Sequence, residues 1–75
     1  MKERNHALVS LGLNVRRRRE ELGLTQERLA EKAELDQTYI SGIERGLRNP
    51  GILNVSKLAK ALGMSTSQLC KGMDL

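Results

Sequence analysis

Short polar side chains recur at helical spacing over residues 37–45 of this 75-residue sequence. With successive residues about 100° apart around a helix, they fall on one arc, which holds Gln37, Thr38, Ser41, Gly42 and Arg45. Amides and hydroxyls donate and accept hydrogen bonds and a guanidinium donates them, but these groups form no nucleophile–base or carboxylate pair of the kind that catalysis uses. The arc therefore indicates recognition of a polar surface rather than a reaction.

The elements that must position this arc are two short amphipathic helices. Opposite the arc, Ile40 and Ile43 form an apolar face that can seat the second helix on a core. Asp36 is a suitable N-cap for that helix, and Thr25 is a suitable N-cap for the helix before it. The sequence therefore predicts a pair of helices over residues 25–45, joined by a tight connection.

Three further helices are predicted, so the chain is expected to be all-α with five helices. The first runs from about His6 to Leu22, and the fourth follows a turn at residues 49–51. A capping box at Ser65 and Gln68 opens a short fifth helix. The apolar positions of these three helices are Leu8, Leu11, Val15, Leu22, Val55, Leu58, Ala59, Leu62, Leu69, Cys70 and Met73.

Composition narrows the class of protein. The length predicts one domain over residues 6–75, preceded by a flexible tail at residues 1–5. Thirteen Lys and Arg against nine Asp and Glu give a net charge of +4, which favours a polyanionic partner. The single cysteine and the absence of a Cys/His set predict no disulfide, metal or cofactor. No apolar run approaches the roughly 20 residues of a membrane span, so a cytoplasmic protein is expected.

Part of the sequence carries a family resemblance. The residues that carry it are Leu24-Thr25-Gln26, Leu29-Ala30, Ile40, Ile43-Glu44-Arg45-Gly46, Pro50 and Leu58-Ala59-Lys60-Ala61-Leu62-Gly63. Over residues 11–72 the chain resembles the phage repressor and Cro family, also called the XRE family. The resemblance implies a five-helix, lambda-repressor-like fold with its helix-turn-helix motif at residues 25–45.

Within that family, the run from Asp36 to Arg45 together with Arg48-Asn49 is most similar to the controller proteins of restriction-modification systems. The resemblance implies a sequence-specific transcriptional regulator that binds a palindromic operator in double-stranded DNA as a homodimer. A phage or plasmid repressor is an alternative. A second alternative is a protein-interaction module such as an antitoxin, which the intact polar arc and the positive charge disfavour. An enzyme is the least favoured class.

The polar arc suits the floor of the DNA major groove, where base edges present distinguishable patterns of donors and acceptors. Gln37 is suited to adenine, and Thr38 to a thymine methyl group and an acceptor. Ser41 lies one turn after Gln37, and Arg45 lies further along the same face. Gly42 is expected to let the backbone approach the bases closely.

Phosphate contacts are expected on both sides of this helix. Gln26 opens the first motif helix, whose N-terminal amides favour anions, and the resemblance implies that it touches the DNA backbone. Arg48 and Asn49 follow the second motif helix and are placed to flank the groove. Tyr39 lies at the edge of the arc, where its hydroxyl either contacts a phosphate or simply covers the core.

Four consecutive arginines, Arg16–Arg19, point around the whole circumference of the first helix and so do not form one patch. By resemblance, Arg19 is expected to pair with Glu44 and lock the first helix to the second motif helix. The other three are interpreted as solvated, with Arg16 and Arg18 adding at most long-range attraction. Glu34 stands where the family often has glycine, and a left-handed backbone there would cost roughly 1 kcal/mol.

The C-terminal region at residues 64–75 is the predicted dimerisation surface. Leu69, Met73 and Leu75 are too many apolar groups for so small a tail, so they are expected to contact a second subunit. Cys70 is interpreted as a small apolar group under the fifth helix or at the subunit contact. Because no ligand-binding domain accompanies the motif, no small-molecule ligand is predicted.

Overall fold

The computed structural model describes residues 5–73, which form five helices and, within that range, no strand. The helices are α1 (His6–Glu21), α2 (Gln26–Ala33), α3 (Gln37–Glu44), α4 (Gly51–Ala61) and α5 (Thr66–Leu69). The all-α prediction with five helices is thereby confirmed. Most of the predicted tail lies outside the described residues, but Asn5 is the N-cap of α1, where its side chain accepts the backbone N–H of Leu8 at 3.2 Å.

Three of the N-caps, those of α2, α3 and α5, are the ones that the sequence predicts. Thr25 accepts the backbone N–H of Arg28 at 3.0 Å, and Asp36 accepts that of Thr38 at 2.8 Å. At α5, Ser65 and Gln68 form both hydrogen bonds of a capping box. These side chains satisfy amides that a helix cannot pair internally, so they fix where each helix begins.

The connection between α2 and α3 is as tight as the motif requires. Glu34 ends α2 with φ 57° and ψ 44°, a left-handed conformation. Its neighbour Leu35 donates its backbone N–H to the carbonyl of Ala30 at 2.9 Å, which closes the end of α2. Glu34 therefore adopts the left-handed backbone whose cost the sequence analysis considered.

The predicted turn at residues 49–51 leads directly into α4. The side-chain oxygen of Asn49 accepts the backbone N–H of Gly51 at 3.2 Å, and Gly51 starts the helix with φ 73°. The positive φ explains why glycine stands at that position, since other residues are strained there.

One core lies among the helices, and its fully buried side chains are Leu11, Val15, Leu29, Ile40, Ile43, Leu58, Leu62 and Leu69. Two predictions are wrong here. Leu69 was expected at a subunit contact, but it lies inside the chain's own core with no exposed surface, so a second copy cannot reach it. Leu22 was expected on the inner face of the first helix, but it is the C-cap of α1 and is exposed. Within residues 5–73, no helix is long and apolar enough to cross a bilayer.

Candidate nucleic-acid interface

The outer face of α3 is polar and open. Gln37, Thr38 and Arg45 are exposed and Ser41 is half-buried, whereas Ile40 and Ile43 on the other side have no exposed surface. The division follows from the helical period, which places the two isoleucines three residues apart on the core side. Four of the predicted base-reading residues therefore lie together on one accessible helix face.

Gly42 is not on this open face. It is buried, and a Cβ built on it would lie 2.6 Å from Cγ of Arg48. The expectation that Gly42 lets the backbone approach the bases is therefore wrong for this structure. Its missing side chain makes room for the stem of Arg48, which folds back against α3.

Tyr39 lies at the centre of a small cluster beside α3. It packs against the core, and its hydroxyl accepts a hydrogen bond from Nδ2 of Asn54 at 3.2 Å. The guanidinium carbon of Arg48 lies 5.9 Å from the centroid of its ring, within the range of a cation–π contact. Tyr39 therefore covers the core, the second of its two predicted roles, and a phosphate contact by its hydroxyl stays a prediction.

A buried ion pair joins α1 to α3. Nε of Arg19 lies 2.7 Å from Oε2 of Glu44, and Nη2 lies 3.0 Å from Oε1, so the contact is bidentate. The two side chains are 12% and 3% exposed. Nη1 of Arg19 also donates to the carbonyl of Leu24 at 2.8 Å. The pair expected between these residues is thus present, and it holds the loop before α2 as well.

The hydrogen bond to Glu44 raises the pKa of Arg19 above its usual value, against the opposing effect of burial. Because a guanidinium is an extremely weak acid even without such a partner, Arg19 stays positively charged throughout the pH range in which proteins are handled. Arg19 therefore contributes a permanent positive charge to this contact.

Gln26 also belongs to this network. It is the first residue of α2, and its Nε2 donates to Oε1 of Glu44 at 3.1 Å. The start of α2, the end of α3 and the interior of α1 thus meet at one carboxylate. The sequence predicted Gln26 at this helix end but not its contact with Glu44, because the two residues are 18 positions apart.

Two polar side chains of α1 have structural roles that the sequence did not predict. Nε of Arg18 donates to the carbonyl of Leu62 at 3.0 Å and so closes the end of α4. Nδ2 of Asn14 donates to the carbonyls of Leu69 and Lys71 at 2.9 Å and 2.7 Å. Arg18 is therefore not simply a solvated member of the arginine run. The only sequence signal was its position beside the apolar stripe of the helix.

Three large aliphatic side chains just before and at the start of α4 are exposed. Leu47, Ile52 and Leu53 are 55%, 68% and 78% exposed. Ile52 also lines an open groove of about 490 Å³ whose apolar walls include Leu8, Pro50, Val55, Cys70 and Met73. Met73, a predicted dimer residue, lines this groove, and Leu75 lies outside the described residues. Leu47, Ile52 and Leu53 were missed, although two adjacent apolar residues in a helix cannot both face the same core.

The comparisons with known proteins match this geometry. The profile of the helix-turn-helix family covers residues 15–69, which include α2, α3 and α4. The chain belongs to the helix-turn-helix family. A curated relative is the control protein C.BamHI of Bacillus amyloliquefaciens, which is 41% identical over 66 residues, 87% of this chain and 82% of its own length.

Solved structures of controller proteins are also similar to this helix-turn-helix protein. The restriction-modification controller protein C.AhdI from Aeromonas hydrophila superposes with a TM-score of 0.81 at 44% identity, covering 83% of this chain and 94% of its own. The controller protein C.Esp1396I was solved as a tetramer in complex with its natural 35 base-pair operator. It superposes with a TM-score of 0.80 at 39% identity, covering 89% of this chain and 88% of its own. This chain is accordingly a helix-turn-helix transcriptional regulator of the kind that controller proteins represent.

Proposed function

We propose that this regulator binds a palindromic operator in double-stranded DNA as a homodimer, in the cytoplasm, with α3 in the major groove. The observation that carries the proposal is the exposed face of Gln37, Thr38, Ser41 and Arg45 above two fully buried isoleucines. A helix of about 10–12 Å diameter fits the major groove, and such side chains match the donors and acceptors found there. No reaction and no small-molecule ligand form part of the proposal.

The anchors to the DNA backbone lie on either side of α3. Gln26 begins α2, where unpaired backbone amides attract a phosphate. Arg48 and Asn49 are exposed in the loop between α3 and α4. These contacts set the register of α3 in the groove, while the side chains of α3 read the sequence.

The homodimer follows from the size of the reading surface. One α3 contacts only a few base pairs, so useful specificity needs two copies about one helical turn of DNA apart. The operator-bound tetramer of C.Esp1396I supports assembly on DNA in a related protein. The net charge of +4 and the similarity to controllers favour this function over a protein-interaction module.

The subunit contact is proposed at the apolar surface of Leu47, Ile52 and Leu53 together with the adjoining groove, which Met73 lines. A contiguous exposed apolar patch on a small protein often marks an interaction surface. A second copy is the occupant that the palindromic operator requires. A two-fold axis through this surface would place the exposed side chains of each copy against the groove of the other.

Selection of binding sites from random double-stranded DNA, followed by footprinting, tests the function. We expect an enriched site with two symmetric halves, protected together, and an affinity that falls steeply with salt, by a slope of about −0.9 per phosphate neutralised. Failure to enrich any sequence would contradict sequence-specific binding. Single-half protection would contradict the dimer.

The identity of the regulated genes is a finer proposal. Similarity to C.BamHI, C.AhdI and C.Esp1396I favours control of restriction-modification genes over a phage or plasmid repressor. Sequencing the flanking DNA and placing the selected operator on it tests this. We expect the operator upstream of a methyltransferase or endonuclease gene, and an operator beside phage or plasmid maintenance genes would contradict it.

A further inference from the structure

We propose that Glu44 is a positioning residue for the phosphate contact of Gln26, in addition to being the ion-pair partner of Arg19. The inference rests on the proposed function, because it concerns how one of the DNA anchors is held. Glu44 itself is almost completely buried and does not touch DNA in this proposal. It acts only through the amide that it binds.

The geometry places three N–H groups on one carboxylate. Oε2 of Glu44 accepts from Nε of Arg19 at 2.7 Å, while Oε1 accepts from Nη2 of Arg19 at 3.0 Å and from Nε2 of Gln26 at 3.1 Å. The Glu44 side chain is 3% exposed, so these bonds lie where water competes weakly. Gln26 is thereby tied to a rigid point formed by α1 and α3.

The bond to Glu44 determines how the amide of Gln26 can be used. A glutamine amide carries two N–H donors on one nitrogen and an acceptor oxygen on the other side. Donation of one N–H to Glu44 orients the amide plane and leaves the second N–H of the same nitrogen for another acceptor. A phosphate accepts hydrogen bonds and never donates them at neutral pH, so this orientation presents the useful atom.

The backbone amide of Gln26 supports the same site. As the first residue of α2, its N–H has no partner within the helix. A side-chain donor and a backbone donor of the same residue therefore stand together at one helix end. Holding the side chain in advance lowers the entropy that binding must remove, which is the general advantage of preorganisation.

Electrostatics alone predicts the opposite role for Glu44. A carboxylate near a phosphate contact repels the DNA, so its removal should strengthen binding if it does nothing else. Arg19 compensates that charge because it stays protonated beside Glu44. Removal of both charges together should therefore leave the affinity unchanged on electrostatic grounds, whereas the positioning role predicts weaker binding, so the two views are separable by experiment.

The test replaces both charges together, as Arg19→Met with Glu44→Met. The net charge is unchanged, and apolar replacement of a whole buried pair is commonly neutral for stability, unlike removal of one partner. Gln26→Ala is then introduced into the wild type and into this double variant, called the paired background, and the affinity of each protein for the selected operator is measured. Circular dichroism and thermal unfolding establish that each variant is folded.

In the wild type we expect Gln26→Ala to weaken binding about tenfold, the effect of losing one hydrogen bond to a charged group. In the paired background the same change should alter the affinity by less than about twofold, because the amide is no longer held. The double variant with Gln26 intact should itself bind the operator almost tenfold more weakly than the wild type. An equal effect of Gln26→Ala in both backgrounds, or a paired variant that binds as tightly as wild type, would overturn the proposal.

Arg48→Ala is the matched control, because Arg48 lies in a different loop and has no contact with the pair. Its effect should be the same in both backgrounds. Failure of the wild-type protein to bind any DNA would refute the proposed function rather than the role of Glu44. If the double variant does not fold, NMR relaxation of the wild-type protein tests the proposal instead. The side-chain amide of Gln26 should be more ordered than that of Gln37, and equal mobility of the two amides would overturn the proposal.

Discussion

In α1, Gly12 packs its backbone directly against the carbonyl oxygen of Ile43 in α3, leaving no room for a side chain. A Cβ at residue 12 would also lie 2.7 Å from the carbonyl oxygen of Glu44. Backbone oxygens cannot rotate aside as a flexible side chain can. This contact therefore sets the distance between α3 and α1, and with it how far the polar face of α3 stands out from the domain.

Gly12→Ala should destabilise the protein, although alanine is the better helix former. We expect the free energy of unfolding to fall by about 1–3 kcal/mol, since α1 and α3 must separate to admit the methyl group. Urea denaturation followed by circular dichroism measures this. Leu13→Ala is the matched control in the same helix, because Leu13 is exposed and its truncation should cost less than about 0.5 kcal/mol. Equal stability of Gly12→Ala and wild type would show that the backbone contact is looser than described.

Glu34→Gly should stabilise the protein, in contrast to Gly12→Ala. Glu34 has φ 57°, and a glycine there avoids the steric cost of the left-handed region. We expect the free energy of unfolding to rise by about 1 kcal/mol. Lys32→Gly, inside α2, should instead lower it by about 1 kcal/mol, because glycine is a poor helix former. Thermal or urea unfolding of the two variants decides it, and a loss of stability in both would contradict the account of the turn.

Leu53→Glu should convert the proposed homodimer into a monomer. Leu53 is 78% exposed, so a charge at that position leaves the fold intact but cannot be buried against a second copy without a large penalty. Sedimentation velocity measures the mass in solution, and operator binding should weaken in parallel. Leu13→Glu introduces the same charge at another exposed leucine and should leave the dimer unchanged. A dimeric Leu53→Glu variant would place the subunit contact elsewhere.

Local chemistry made much of the fold predictable from the sequence. Thr25 and Asp36 are side chains that cap helices through bonds to residues two or three positions away, so their roles are visible in a short window. Ile40 and Ile43 follow the helical period, which separates the buried from the polar side of α3. The polar face of α3 was predictable for the same reason, whereas the DNA contacts assigned to its residues stay predictions.

The features that the sequence did not predict are contacts between segments that are distant in the chain. Leu69 and Leu53 are the same residue type, and only the packing of α5 and α4 decides that the first is buried and the second exposed. Nothing in the sequence around Gly12 distinguishes it from any other helical glycine, because its importance comes only from the packing of α3 against it. The bond from Gln26 to Glu44 likewise links two elements whose relative position no local pattern determines.

The central claim is that α3 reads base pairs while the flanking residues hold the DNA backbone. The most direct measurement compares wild type, Gln37→Ala, Thr38→Ala and Arg48→Ala on the selected operator and on its single base-pair variants. We predict that Gln37→Ala and Thr38→Ala each lose about 1–3 kcal/mol of discrimination at particular base pairs. Arg48→Ala should weaken all sites alike and reduce the salt slope by about 0.9. A uniform loss across all sites for the two α3 variants would contradict the account.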